Sequence, residues 1–383
     1  MKKIAFVFDG LGFGGIERIG IDYIKIALEL GYFVDVYNLN PSDSDFQKNI
    51  PESVKVYSKR YSRLQCPELY SYGCQKWWWG KYAYALISPV LTILQIIQRL
   101  FSKKLEYDVA IAIAGHVNDL SYVVKNFLKA KKKICWCHGN ILSYFAICDA
   151  YPMLYKSIDK FVVLSNAGQK DIYPGHKFMY DKEILRIYNP TYLKINDCDT
   201  EIVKQLKKQY GDFILMVGRF EPRKRQDFAI KVVKKLKEMG LEKKLVLLGN
   251  GDTIESCKEF VKKENLENFV FFEGYKKNVH DYIAASYINI LTSKWEGLPT
   301  VIIEAMTFGK PCVMTNSDDG EVSGNGKYCF LMDNDDEKDF AIAVYNLYKD
   351  KKLYKKYSEL SIERAQAFTP NTVKKEFKKL IEE

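Results

Sequence analysis

The residues best suited to chemistry are two glutamates, Glu296 and Glu304, eight positions apart in Lys294-Trp295-Glu296-Gly297-Leu298-Pro299-Thr300-Val301-Ile302-Ile303-Glu304-Ala305-Met306. A carboxylate accepts two hydroxyl hydrogens well, so such a pair suits a ligand rich in hydroxyls. Residues 288–291 before them are a short apolar run that reads as a strand, and residues 301–308 after them read as a helix. Pro299 fits the first helical position, where a missing N–H costs nothing. Glu296 is therefore expected on the loop at a strand tip, and Glu304 about a turn and a half into the helix. The free N–H groups of that helix start suit an anion. An acid and an anion seat at the C-terminal end of a strand describe a ligand pocket. The competing reading is an ordinary strand-loop-helix with two surface glutamates.

Other clusters carry charge or backbone suited to phosphate. Gly218-Arg219-Phe220-Glu221-Pro222-Arg223-Lys224-Arg225 lies between a strand pattern at 213–217 and a helix pattern at 227–239. Four cations gather where a helix begins, which is the wrong sign for its dipole. A bound phosphate would resolve the mismatch. Arg219 can grip oxygens in a bidentate fork and Lys224 can supply a point charge; Arg223 and Arg225 read as solvated. Asp9-Gly10-Leu11-Gly12-Phe13-Gly14-Gly15-Ile16-Glu17-Arg18 follows the first strand and opens a helix. Gly10, Gly12 and Gly15 satisfy G-x-G-x-x-G, but a dinucleotide site also wants an acid at the tip of the second strand. Asp35 lies within that strand and Asn38 follows it. Gly249 and Gly251 form a Gly-x-Gly turn after a strand, and Gly274-Tyr275 follows the next one; a plain strand-to-helix turn is the alternative for both. His138 ends a strand in Cys137-His138-Gly139, where a lone histidine is more often structural than catalytic. His116, His176 and His280 lack such a context.

Taken together, Glu-Gly-Leu-Pro-x-x-x-x-Glu-Ala, the Arg219-x4-Lys224 pair and the Gly-Gly-x-Glu-Arg string at 14–18 resemble GT-B glycosyltransferases of family 4. The resemblance spans nearly the whole chain and its motifs are densest at 218–309. It implies two doubly wound α/β domains facing a cleft and retaining transfer of a sugar from a nucleotide donor. It implies that Arg219 and Lys224 hold the departing diphosphate, that Glu296 faces the transferred sugar and that Glu304 bonds the ribose. Gly297, Leu298 and Pro299 would present backbone N–H groups to sugar and diphosphate. Gly249, Gly251, Gly274 and Tyr275 would hold the base. Gly14 and Gly15 would approach the diphosphate, and His138 would face the sugar. The segment Asp318-Asp319-Gly320-Glu321-Val322 departs from the usual Gly-x-x-Glu pattern, which puts a role for Glu321 in doubt. No D-x-D follows a strand at the donor site, and Asp333-Asn334-Asp335 reads as a polar turn, so no obligatory metal or other cofactor is expected.

The elements that must position these residues follow from periodicity. Strand patterns at 4–8, 33–37, 109–114, 133–137, 161–164 and 184–187 alternate with helices, as do those at 213–217, 245–248, 269–272, 288–291, 312–315 and 328–331. Such alternation implies parallel sheets covered on both faces, and 383 residues suit two domains. The expected division is 1–190 for the acceptor, 191–368 for the donor, and a final helix at 369–383 that the resemblance crosses back onto the first domain. The net charge of +10 is strongest in lysine-rich stretches at 129–133 and 231–244, read as solvated helix faces. No nucleic-acid signature accompanies it. Nine scattered cysteines without C-x-x-C spacing suit a reducing cytoplasm. The apolar run at 4–8 is too short for a signal peptide. Residues 82–101 form an amphipathic helix pattern containing Pro89, preceded by Trp77, Trp78 and Trp79 and flanked by lysines. These flanks suit an anionic membrane surface; the competing reading is a helix docked on the first sheet. The expected partners are a nucleotide-sugar, UDP-linked by family base rate, and a glycan or lipid-linked glycan acceptor of bacterial surface polysaccharide assembly. The expected location is the cytoplasm or the inner membrane face. A catalytically inactive sugar-nucleotide-binding protein and an NAD-dependent oxidoreductase are the alternatives.

Overall fold

The computed structural model describes residues 1–12, 14–61, 77–101, 105–115, 118–138, 152–172, 177–332 and 336–383. The Asp333-Asn334-Asp335 turn, Gly139, His116 and His176 lie outside them. The chain forms two compact units, Met1–Pro190 with Val373–Glu383, and Thr191–Thr372.

The first unit is built on seven parallel strands, β1 (Lys3–Phe8), β2 (Phe33–Asn38), β3 (Lys55–Ser58), β4 (Glu106–Ala112), β5 (Lys129–Cys137), β6 (Lys160–Val163) and β7 (Glu183–Arg186), in the order β3-β2-β1-β4-β5-β6-β7. β1 is buried from Ile4 to Phe8, as a strand covered on both faces must be. The order reverses between β1 and β4, a topological switch point. The apolar patterning does not announce β3. It is a four-residue edge strand with Lys55 exposed, so it carries no apolar run. The lysines at 129–133 are not a helix face. They open β5, where Lys129 and Lys131 pair with Glu106 and Asp108 of β4 at 2.7 and 2.8 Å. From Val373 on, helix Pro370–Glu382 belongs to this unit. Val373, Phe377, Leu380 and Ile381 recur at helical spacing and are buried, and the Phe377 ring lies 5.3 Å from Tyr23.

The second unit has six parallel strands, β8 (Ile214–Val217), β9 (Leu245–Leu248), β10 (Val270–Gly274), β11 (Ile288–Leu291), β12 (Cys312–Thr315) and β13 (Phe330–Met332), ordered β10-β9-β8-β11-β12-β13. β9, β11 and β12 are buried throughout; β9 is accordingly all apolar, while β11 carries the buried Asn289, whose Nδ2 donates to Ser286 Oγ at 2.9 Å, and β12 ends on the buried Thr315. The switch point here lies between β8 and β11, and the loops leaving their C-terminal ends are those of Arg219–Lys224 and Glu296.

Helix Gly80–Phe101 docks on the first unit, but through its polar stripe. Gln95 is buried, while Leu86, Ile93 and Leu100 are exposed.

Candidate active site

The β8 loop begins where Gly218 N–H bonds the carbonyl of Leu248 on β9. The loop turns back on itself through Lys224 N–H to the Glu221 carbonyl at 2.9 Å. Arg225 takes a left-handed φ of 56° and caps helix Gln226–Glu238. The fully buried Thr292, just past β11, donates to the carbonyls of Lys224 or Arg225, each at 2.9 Å. That hydroxyl ties the β8 loop to the β11 loop. Lys294 N–H adds a bond to the Arg223 carbonyl at 2.8 Å, and Glu296 N–H bonds the Ser317 carbonyl beyond β12 at 2.6 Å.

These anchors bring Glu296 between two cations. Its Oε1 accepts from Lys224 Nζ at 2.5 Å and its Oε2 from Arg223 Nη1 at 3.2 Å. The Lys224 stem runs beside Gly218: a Cβ there would stand 3.7 Å from Lys224 Cδ, an ordinary packing distance. Arg223 also meets Glu221 Oε1 at 2.7 Å and stacks on Trp295, 4.7 Å from the ring centroid. Its expected solvation is thus overturned: Arg223 is the second cation on Glu296, joined to it by loop proximity that local sequence does not reveal. Arg225 also lies over the Phe228 ring at 4.4 Å, so it too is packed rather than solvated. Arg219 is different. It is exposed, its carbonyl is held by Gln226 Nε2 at 2.9 Å, and no carboxylate among the described residues pairs with its guanidinium.

Helix Thr300–Thr307 carries Glu304 just over one turn in, half-buried. Pro299 is its N-cap, one residue before the helical position expected for it, with Leu298 buried beside it. Gly249 and Gly251 have φ of 132° and 151°. A Cβ on Gly249 would stand 2.0 Å from the Gly218 carbonyl oxygen, and one on Gly251 2.2 Å from that of Phe220. Only glycine permits the β9 loop to lie this close to the β8 loop. Gly249 N–H reaches the Gly274 carbonyl at 2.8 Å, and Tyr275 beyond it is exposed. The three loops therefore form one knitted rim at the C-terminal edge of the sheet. Beside it, burial pushes the Asp318 carboxyl up to about 6; it accepts from Val322 N–H at 2.8 Å. Glu321 is buried, and its carbonyl accepts from Arg364 Nη2 at 2.6 Å. Among the described residues, no group of three or more His, Cys, Asp or Glu side chains is placed to hold a metal ion.

In the first unit, Gly14 is the extended N-cap of helix Gly15–Glu29, with the Glu17 carboxylate against it. Nothing lies within 4 Å of where a Gly15 Cβ would be, so its backbone is open to approach. Asp9 holds the loop by accepting from Asp119 N–H at 2.6 Å. His138, half-buried, follows β5 on the same edge of that sheet. The tip of β2 carries Asn38, bonded to Gln47, while the Asp35 carboxylate inside the strand is taken by Lys3 and by the Tyr107 hydroxyl. The acid that a dinucleotide ribose needs is missing from that tip.

Residues 197–364 match the family model described as Glycosyl transferases group 1. An uncharacterized glycosyltransferase of Haemophilus influenzae is 28% identical over 346 residues, covering 86% of each chain. The crystal structure of Anabaena HepE in complex with UDP and glucose matches 100% of this chain and 99% of its own with a TM-score of 0.70. The fold is GT-B, and residues 197–364 belong with the group 1 glycosyl transferases. At 18% identity the HepE likeness speaks for the fold alone. The group 1 match includes the β8 loop, the β9 and β10 turns and both glutamates. An N-acetylgalactosaminyltransferase of Campylobacter jejuni, named for a diphospho-undecaprenol-linked acceptor, is 30% identical over 158 residues, 41% of this chain and 42% of its own.

Proposed function

We propose that this chain is a glycosyltransferase that moves a hexose or N-acetylhexosamine from a UDP-sugar to a lipid-linked glycan, with retention of configuration and without a metal ion, in bacterial surface polysaccharide assembly. The observation that carries this reading is the Lys224–Glu296–Arg223 cluster at the β8/β11 switch point, with the unpaired Arg219 beside it. The cluster holds a sugar-binding carboxylate and phosphate-binding cations in one place. Arg219 and Lys224 receive the diphosphate, where negative charge grows as the bond to the anomeric carbon breaks. Glu296 accepts from the hydroxyls of the transferred sugar and Glu304 from the ribose. The rim of Gly249, Gly251, Gly274 and Tyr275 takes the base, and the backbone of Gly297, Leu298 and Pro299 lines the diphosphate. The acceptor binds the first unit near His138. Its hydroxyl oxygen bonds to the anomeric carbon on the face the diphosphate leaves, and the hydroxyl proton passes to the departing phosphate oxygen. The named acceptor of the Campylobacter relative and the UDP held by HepE support the lipid-linked acceptor and the donor. This chemistry belongs in the cytoplasm, at the inner membrane face.

The test is UDP-sugar turnover and hydrolysis with and without chelator. Arg219→Ala, Lys224→Ala and Glu296→Ala should each lower kcat by about 100- to 1000-fold, the usual cost of removing one charge-stabilising group. Glu304→Ala should mainly raise KM. Turnover that survives all three alanine changes, or a strict metal requirement, would sink the mechanism. UDP-sugar binding with no turnover in the wild type would make the protein a binding module.

A further inference from the structure

An amphipathic helix on a globular protein ordinarily buries its apolar stripe. Helix Gly80–Phe101 does the reverse. Among its described side chains the one buried most deeply is Gln95, only 6% exposed, which donates to Tyr61 Oη at 3.1 Å and accepts from Lys125 Nζ at 3.0 Å. Tyr61 Oη is in turn 2.8 Å from Ser121 Oγ, so the polar stripe is anchored in the unit by a hydrogen-bonded chain. Leu86, Val90, Ile93, Ile97 and Leu100 point outward, between 45% and 76% exposed. Just ahead of the helix, Trp78 is exposed, and the Trp77 and Trp79 rings stack at 5.0 Å. A continuous apolar face of this size in a soluble unit marks an interaction surface.

Where the helix ends, a cavity of about 480 Å³ opens beside it, with Lys55, Lys59, Arg60 and Tyr57 on its walls and Phe101 and Gln98 from the helix itself. Buried Tyr37 and Tyr61 form its floor. Lys55 Nζ sits 4.9 Å over the Tyr57 ring. Among the described residues no carboxylate pairs with Lys55, Lys59 or Arg60. Three unneutralised cations around an aromatic-walled cavity suit a phosphate oxyanion. Phe101, 87% exposed, belongs to both the cavity and the apolar face.

We propose that the helix and cavity together dock this unit on an anionic phospholipid bilayer, with the cavity taking a lipid phosphate and the helix lying flat in the interface. Among the described residues no helix is long and apolar enough to cross a membrane, so the helix rests on the surface. Tryptophan favours that headgroup level, and cations beside it are drawn to the anionic leaflet. A second copy of the chain is the poorer occupant. It would cover the apolar face but bring a like-charged partner of net charge +10 against three unpaired cations. The inference is independent of the donor assignment.

The experiment is co-sedimentation of the full chain with vesicles of phosphatidylcholine alone or mixed with phosphatidylglycerol, with circular dichroism and thermal unfolding as the check on folding. Wild-type protein should bind the anionic vesicles much more tightly than the neutral ones. The Lys55→Gln/Lys59→Gln/Arg60→Gln variant should lose on the order of a hundredfold on anionic vesicles, about fivefold per cation. Ile93→Ser/Ile97→Ser should release the protein from both kinds. Both variants should keep the wild-type circular dichroism spectrum and Tm. Three results would overturn the proposal. The glutamine variant could keep its anionic preference; inorganic phosphate could saturate the cavity and abolish vesicle binding at unchanged ionic strength, assigning the site to a free anion; or wild type could form a dimer that Ile93→Ser/Ile97→Ser dissolves.

Discussion

Glu296 is held by Lys224 and Arg223, which precede it by 72 and 73 positions. The types were legible from sequence: a glutamate in a Gly-Leu-Pro turn, and cations at a helix start where the dipole disfavours them. The pairing was not, and it changed the reading of Arg223 from a solvated residue to a ligand of Glu296. Asp318 is another residue whose role emerges only in the fold. Burial raises its pKa from 3.8 to about 6, so the folded protein prefers the neutral acid. Stability from that preference is complete below pH 4 and is lost as pH rises through 6. Asp318→Asn keeps an acceptor for Val322 N–H and removes the loss. It should stabilise the protein by up to about 3 kcal/mol above pH 7 and by little at pH 4. Urea unfolding at the two pH values checks this, and equal effects at both would refute the assignment.

At the scale of elements, the site depends on how closely the β8, β9 and β10 loops approach. Gly249 carries the tightest of these approaches, with a φ of 132° and the Gly218 carbonyl where a side chain would be. Gly249→Ala should cost at least about 2 kcal/mol, from backbone strain plus the displaced loop. It should also weaken UDP binding. Gly15 offers the contrast: open space surrounds it, so Gly15→Ala should leave Tm unchanged. Thermal shift with and without UDP reads both variants. β3 escapes periodicity because an edge strand needs no apolar run. The charged start of β5 escapes for a related reason. Lys129 and Lys131 are satisfied by carboxylates on the neighbouring strand, so the run looks like a helix face until that strand is placed.

At the scale of the whole molecule, the chain ends where it began. Helix Pro370–Glu382 returns to the first unit and inserts Phe377 among Phe6, Tyr23 and Trp136, with ring centroids 6.5, 5.3 and 6.3 Å away. A fully buried aromatic in such a cluster is worth several kcal/mol, so Phe377→Ala should destabilise the first unit by about 3–5 kcal/mol. The second unit, whose core shares no residue with that cluster, should unfold as before. Calorimetry should show one transition moving down while the other stays in place. Both transitions shifting equally would mean the two units unfold together.

The sequence by itself determined the alternation of elements, because buried parallel strands must be continuous apolar runs and their covering helices must be amphipathic. It also determined which residue types could hold a sugar and a diphosphate. Strand order was decided only by the tertiary structure, and it is strand order that sets β8 beside β11 and so brings Lys224 to Glu296. The direction in which helix Gly80–Phe101 faces was likewise decided there. Periodicity defines a polar and an apolar stripe but not which one meets the protein; Tyr61 and Lys125, bonded to Gln95, turn the apolar stripe outward.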